Sequence, residues 1–250
     1  VTNMDISKIS SIVQTVPFHK TSSKYSFIPT TKPLKVLEDM GWYITGASQS
    51  NSKYDGYQKH LLRLQNDKYS KLTTEGVPEL LMINNHMAKG RFEMMLGFYR
   101  IACSNGLIVG DTLMKDGVRH IGYTDDKVSM VVSKLSSNVD SVVNSIEKMQ
   151  EQFITPTKQY EFVGDVINET LQIEVKDPAC LLISRRQEDG NINNRNLWQT
   201  FNIVQENIMK GSYQTVNLQN KIRKAKMIQS IDRNVNINTG MWNVASNYIN

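Results

Sequence analysis

The run from residue 125 to residue 153 constrains the fold more than any other stretch. Val128, Val131, Val132, Leu135, Val139, Val142, Val143, Ile146 and Met149 recur at spacings of three and four, the stripe that one face of an α-helix presents. Asp125 or Asp126 stands where an N-cap acceptor belongs, and Pro156 follows as the stop. A stripe of that length needs a surface to bury against, and the segments before it are short and alternating. The expected architecture is therefore α+β: an antiparallel sheet from the first 124 residues, a long packed helix, and a helical, basic C-terminal portion.

The strands of that sheet are expected at residues 25–30 (YSFIPT), 42–48 (WYITGAS), 60–65 (HLLRLQ) and 118–124 (VRHIGYT), with a strongly apolar run at 79–83 after Pro78. Residues 31–40 read as a short helix with Pro33 in its first turn, closed by Gly41. Residues 91–100 and 101–109 form either a hairpin or a helix followed by a strand; Gly97, Gly106 and Gly110 favour the β alternative. Residues 4–15 are a short helix or an arm.

Beyond Pro156, residues 158–183 read as a second helix that gives way to mixed signals around Asp177 and Pro178. The Asn-rich stretch 185–196 (RRQEDGNINNRN) has the composition of a flexible surface loop, either a linker or a mobile binding loop. Helices are expected over 197–209, with a left-handed cap at Gly211, and within 230–248. The division into domains falls at 1–156, an α+β core, and 157–250, a mainly helical basic region that can also be continuous with the core.

Charge is where the two parts differ most. Residues 181–250 hold nine Lys or Arg against four acids, a net +5 equal to that of the whole chain, so the first 180 residues are neutral overall. Such asymmetry bears on polyanionic partners, not on fold. Cys103 and Cys180 lie apart and form no C-x-x-C pair, which fits neither a disulfide-stapled domain nor a zinc ribbon. No stretch reaches the roughly 18 apolar residues that span a bilayer. A cytoplasmic protein without membrane contact is expected.

Enzyme signatures are lacking. There is no G-x-x-x-x-G-K-[ST] or G-x-G-x-x-G loop, and His19, His60, His86 and His120 are too dispersed for a metal site. Cys103, His86 and Asn105 contain the residue types of a cysteine hydrolase, yet Cys103 sits in an apolar run and Asn105 precedes Gly106, as in a turn. No catalytic residue, metal or cofactor is assigned. Arg119 beside His120, and Arg100, remain candidates for a polar or phosphate contact.

The strongest functional lead is the segment 221–226 (KIRKAK). Lys221, Arg223, Lys224 and Lys226, joined by Arg233, suit phosphate contacts, which need charge and no strict geometry. Arg185 and Arg186 belong to the same candidate set, and the ordinary alternative is a solvated surface. Tyr25, Phe27, Trp42, Tyr43, Phe98 and Tyr99 on predicted strands are available to stack unpaired bases if exposed. Trp198, Phe201 and Trp242 at helical spacing read as packing residues.

Several stretches together resemble a known family. They are YSFIPT (25–30), Gly41, the A-x-Q-S of 47–50, HLLRL (60–64), the N-x-H of Asn84 and His86 with CSNGLIVGD (103–111), LWQTFNIVQENIMKG (197–211) and SIDRNVNINTGMW (230–242). The arginine-x-x-cysteine-x-asparagine pattern of Arg100, Cys103 and Asn105 is included. The chain is identified by them as a member of the phage- and plasmid-encoded domain of unknown function 932 family, in its enterobacterial prophage and plasmid branch. Where relatives read Asn-Ser-His-Asp-Gly this chain has Asn84, Asn85, His86, Met87, Ala88, Lys89 and Gly90, so a role that needs the missing acid is not carried over. The resemblance implies a mobile-element protein and no particular activity.

Together these readings give a non-enzymatic nucleic-acid-binding protein, with DNA as the expected partner, that binds or anneals single strands as a homo-oligomer. The alternative is a protein-interaction module that contacts a host defence protein through residues 185–196; a cysteine hydrolase ranks third.

Overall fold

A computed structural model describes residues 5–22, 25–73, 75–87, 92–100, 115–118, 124–186 and 189–249. It is α+β and divides into two compact units, Val1–Asp140 and Ser141–Asn250.

The first unit is organised on a five-stranded antiparallel meander in the order β1 (Tyr43–Gln49), β2 (His60–Gln65), β3 (Gly76–Asn84), β4 (Phe92–Arg100), β5 (Lys115–Val118). The strand alternative for residues 92–100 is thus the observed one. Leu62 and Leu64 lie opposite Met82 and Leu80, which in turn face Met94 and Leu96, all buried. β3 is buried on both faces, which is why its sequence reads as an unbroken apolar run instead of an alternating one. Helix α1 (Thr31–Asp39) and helix α2 (Asp125–Ser136) pack on one another, and α2 packs against β4 and β5.

Two expectations for this unit change. Residues 25–30 form no strand: two of their hydrogen-bonding groups, the Ile28 carbonyl and the Thr30 hydroxyl, engage the Asn84 side chain instead of a ladder. The single helix over 125–153 is two helices, α2 and α3 (Val139–Glu151), separated at Ser137 and Asn138. The side chains of both intervening residues bond the Lys134 carbonyl and end α2. The apolar spacing crosses the gap from Leu135 to Val139 unaltered, so periodicity alone does not reveal it.

In the second unit, α4 (Pro156–Val166) begins at Pro156, so the proline predicted as a stop occupies a first helical turn. The helix expected over 158–183 ends early. A π-helical turn, Ile167–Leu171, gives way to Gln172 at φ +51°, then β6 (Glu174–Val175) and the 3₁₀ turn Pro178–Leu182. Helix α5 (Leu197–Lys210) is the core of the unit: of residues 197–209 all but Gln199 are buried. Its ends are held by an Asn196–Gln199 capping box and by Gly211. Helix α6 (Ile231–Tyr248) packs against it, with Phe201 edge-on to Trp242 at 6.3 Å. A small sheet in the order β6, β7 (Gln214–Val216), β8 (Ile222–Lys224) completes the unit.

The described residues of the 185–196 stretch are tied down, in contrast to the expected flexible loop. Arg195 is buried and donates to the carbonyls of Leu182 and Gly190, Asp189 is buried and accepts from Ser184, and Ile192–Asn194 forms a 3₁₀ turn. Polar composition marks a loop here because these side chains bond the backbone that folds around them.

Between neighbouring strands of the first unit's sheet lies an ion pair, Arg63 on β2 with the fully buried Glu79 on β3. Gly97 opposite Glu79 makes room for it, since a Cβ there would sit 3.2 Å from Glu79 Cγ and 3.1 Å from Leu81 Cδ1. Burial pushes the Glu79 carboxyl up from 4.5 to about 7 despite Arg63, and burial depresses the His60 imidazole from 6.5 to about 4. Below about pH 6.5 the unfolded chain takes up a proton that folded His60 refuses, so stability falls as pH drops. Between about 4.5 and 7 folded Glu79 retains a proton that the unfolded chain has released, so its contribution falls as pH rises. The two oppose each other. In Glu79→Gln only the histidine remains, and urea unfolding at pH 6.5 and 4.5 should show a loss on acidification about 2–3 kcal/mol larger than in the parent. Equal losses would mean that Glu79 ionises in its ordinary range in the folded protein.

Candidate nucleic-acid interface

The cations that the sequence singles out fall into two classes. Lys221, Arg223, Lys224 and Lys226 are exposed on and beside β8, the edge strand of the small sheet, and Arg233 is exposed in the first turn of α6. None of the five makes an ion pair or side-chain hydrogen bond with a described residue. In the hairpin register Gln214 faces Lys224, Thr215 faces Arg223 and Val216 faces Ile222, so the two strand cations, Arg223 and Lys224, project from opposite sides of the ribbon. The turn at residues 217–220 is tied by Asn217, whose side chain accepts from the amides of Gln219 and Lys221, and Leu218 at its tip is fully exposed. Ile222 and Met227 are also more than half exposed.

The hairpin is seated by Gly211. Its φ of +70° with ψ of −149° lies in a region open essentially only to glycine, not in the left-handed helical region expected for the cap. A Cβ there would lie 2.7 Å from the Ala225 carbonyl oxygen, so the chain leaving α5 passes directly against the strand that carries the cations.

Arg186, by contrast, is bound internally. Its Nη2 and Nε lie 2.9 and 3.3 Å from the two oxygens of Glu206, which also pairs with Lys210 one turn along α5. Burial alone would raise the Glu206 carboxyl; Lys210 and Arg186 outweigh it and hold the group below its ordinary value. Arg185 donates through Nε to Asn207 Oδ1 at 2.6 Å, and the Asn207 amide is fixed by bonds to the carbonyls of Leu181 and Ile183.

His86 is fully buried, and the network around it accounts for much of the sequence resemblance. His60 Nδ1 lies 3.0 Å from the Gln58 carbonyl and His86 Nε2 lies 2.9 Å from the Ser11 carbonyl, so each of those nitrogens carries the proton. Thr30 then donates to His60 Nε2 at 2.8 Å and accepts from Asn84 at 3.0 Å, with His86 Nε2 at 3.3 Å. Ser11 in turn donates to Gln49. YSFIPT, A-x-Q-S, HLLRL and N-x-H therefore meet in one interior network that binds the N-terminal segment to β2 and β3. The same network explains why His86 is buried and occupied by structural partners.

Asn105, Arg119, His120 and Cys103 lie outside the described residues, as does the Arg100 side chain. Of the six strand-region aromatics, Trp42 and Phe98 are buried and Tyr25, Phe27, Tyr43 and Tyr99 half-buried, so none of them is fully exposed. Among the described residues no cluster of three His, Cys, Asp or Glu could hold a metal ion, and no helix is long and apolar enough to cross a membrane.

Thr30→Val keeps the side-chain shape but removes the hydroxyl shared by three buried partners. It should destabilise the protein by about 2–4 kcal/mol in urea unfolding, with Thr30→Ser costing far less, and it should leave nucleic-acid affinity unchanged. A loss below about 0.5 kcal/mol would show that the network is not a structural clasp.

Two curated proteins of Escherichia coli (strain K12) align over 233 residues, 90% of this chain and 82% of their own length: UPF0380 protein YafZ at 27% identity and UPF0380 protein YfjQ at 26%. No solved structure matches the chain. The family described as Domain of unknown function (DUF932) matches residues 17–242, a span that takes in the buried histidine network, the α5 core and the basic hairpin, and the chain belongs to that family.

Proposed function

We propose that this protein binds nucleic acid without catalysing a reaction on it, and that the interface is the basic hairpin of the second unit with the first turn of α6. One observation carries the proposal: five exposed cations, Lys221, Arg223, Lys224, Lys226 and Arg233, lie close together in sequence and structure without an ion-pair partner among the described residues. Phosphate contacts need such charge and tolerate its flexible geometry.

Lysines on an edge strand also prevent unwanted strand pairing. That role needs charge only along the strand, whereas Lys221, Lys226 and Arg233 lie outside β8. The exposed Leu218, Ile222 and Met227 between the charges offer apolar contact to bases or sugars. A bound strand is expected to run along this ribbon, and annealing of complementary strands is the activity that such a binder supports when several copies act together.

Binding of DNA to the parent and to a variant with Lys221, Arg223, Lys224 and Lys226 all changed to Gln should be titrated against salt. The parent is expected to show affinity falling steeply with salt; the variant should bind at least tenfold more weakly, with the log–log slope reduced by about 3. An unchanged affinity in the variant, or no binding by the parent at low salt, contradicts the proposal.

A further inference from the structure

A hollow of about 310 Å³ opens in the second unit between the Pro178–Leu182 turn, the end of α5 and the start of β7. Its walls include Cys180, Arg185, Asn207, Gly211, Ser212 and Tyr213. That volume is at the small end of the range for ligand sites, roughly 300–1,000 Å³. Three features separate it from an ordinary surface dimple.

The first is Arg185. Asn207 holds it by Nε alone, and Asn207 is itself immobilised by two backbone carbonyls. The two terminal nitrogens have no hydrogen bond or ion pair with a described residue, so a planar pair of donors is oriented in advance for a doubly accepting anion. Its sequence neighbour Arg186 covers Glu206, and Lys210 covers it a second time, which offsets the charge of that buried acid. Asp177 is close enough to influence the Cys180 thiol and opposes an anion there.

The second is the wall that the hollow shares with the cationic strand. Ser212 N donates to the Ala225 carbonyl at 2.9 Å, and Ala225 N donates to the Tyr213 carbonyl at 2.8 Å. Lys224 and Lys226 flank Ala225, so the backbone that carries these cations runs about one strand spacing, roughly 5 Å, from the backbone that lines the hollow. Arg233 also lies close enough to act on the Tyr213 hydroxyl. The third is Ser212, held at φ +81°, a conformation that costs an L-residue about 1–3 kcal/mol and is concentrated at functional sites.

We propose that this hollow seats one unpaired nucleotide, with the Arg185 fork on its phosphate, while the neighbouring phosphates of the same strand lie along the basic hairpin. This rests on the nucleic-acid reading above and adds a preference to it. A nucleotide within a duplex cannot enter without leaving its stack, which costs a few kcal/mol; an unpaired one enters freely. Single strands are therefore favoured by the hollow, and the hairpin alone binds both forms.

The test uses the full chain with a short oligo-dT strand and a duplex of the same length. Arg185→Gln should weaken oligo-dT binding about tenfold, the worth of one charge-assisted contact, and leave duplex binding unchanged. Arg185→Lys, which keeps the charge without the fork, should fall between. Independently of affinity, alkylation of Cys180 by iodoacetamide, followed at that residue by mass spectrometry, should slow when oligo-dT is bound and not when duplex is bound. Equal effects of Arg185→Gln on both forms, no effect on either, or Cys180 alkylated at the same rate with oligo-dT bound would overturn the pocket while leaving the hairpin reading intact. Failure of the hairpin reading shows separately, as unchanged affinity in the four-cation variant.

Discussion

Glu206 lies on a helix buried on nearly every side, with its side chain 3% exposed. A carboxylate in that position must be answered from within the protein, because a buried charge that loses its partner costs about 3–5 kcal/mol. Arg186 and Lys210 supply the answer, and their commitment decides what the rest of the basic region can do. Three of its cations are structural: these two, and Arg195, which is buried against backbone carbonyls. Of the other six, Arg185 is held by Asn207, and five stay outside, on the hairpin and at the start of α6, where no acid among the described residues pairs with them. Net charge alone ranks all nine alike; buried acceptors, Glu206 foremost among them, divide them.

The same division explains how much of the interface was legible in the sequence. The cluster from Lys221 to Lys226 is visible as a run because consecutive residues on a short exposed strand all reach solvent. Arg185 and Arg186 look equivalent in sequence, yet one covers Glu206 and the other is held by Asn207 with its fork open. Glu206 and Asn207 lie some twenty residues away on α5, so the difference is tertiary and no local pattern encodes it. Ser212 and Tyr213 carry no signal in the sequence, and Cys180 stands out only as an unpaired cysteine. Their meeting depends on the π-helical turn and the left-handed Gln172 that redirect the chain after α4, features without a composition signature.

For the fold, short strands between glycine-rich or Asn-rich turns were readable, as was the α-helical spacing after Asp125. The errors share a cause. Residues 25–30 alternate like a strand, but Asn84 takes their hydrogen-bonding groups, and the break at Ser137 and Asn138 preserves the apolar spacing on both sides. Periodicity reports which side chains face inward; it is silent on where the backbone finds its partners. The stretches that carry the family resemblance gather largely in the His60–Thr30–Asn84–His86 network and along α5. In this chain they describe how the two units are built, and the hairpin cations Lys221 to Lys226 that we assign to nucleic acid fall outside those stretches.

The most direct measurement is a map of photochemical crosslinks between the unmodified full chain and a single-stranded oligonucleotide at low salt, read by mass spectrometry. Crosslinked peptides are expected to come from residues 212–233, with a second group at Cys180 and Arg185. Crosslinks confined to the first unit, or an oligonucleotide that the protein does not hold, would contradict the account.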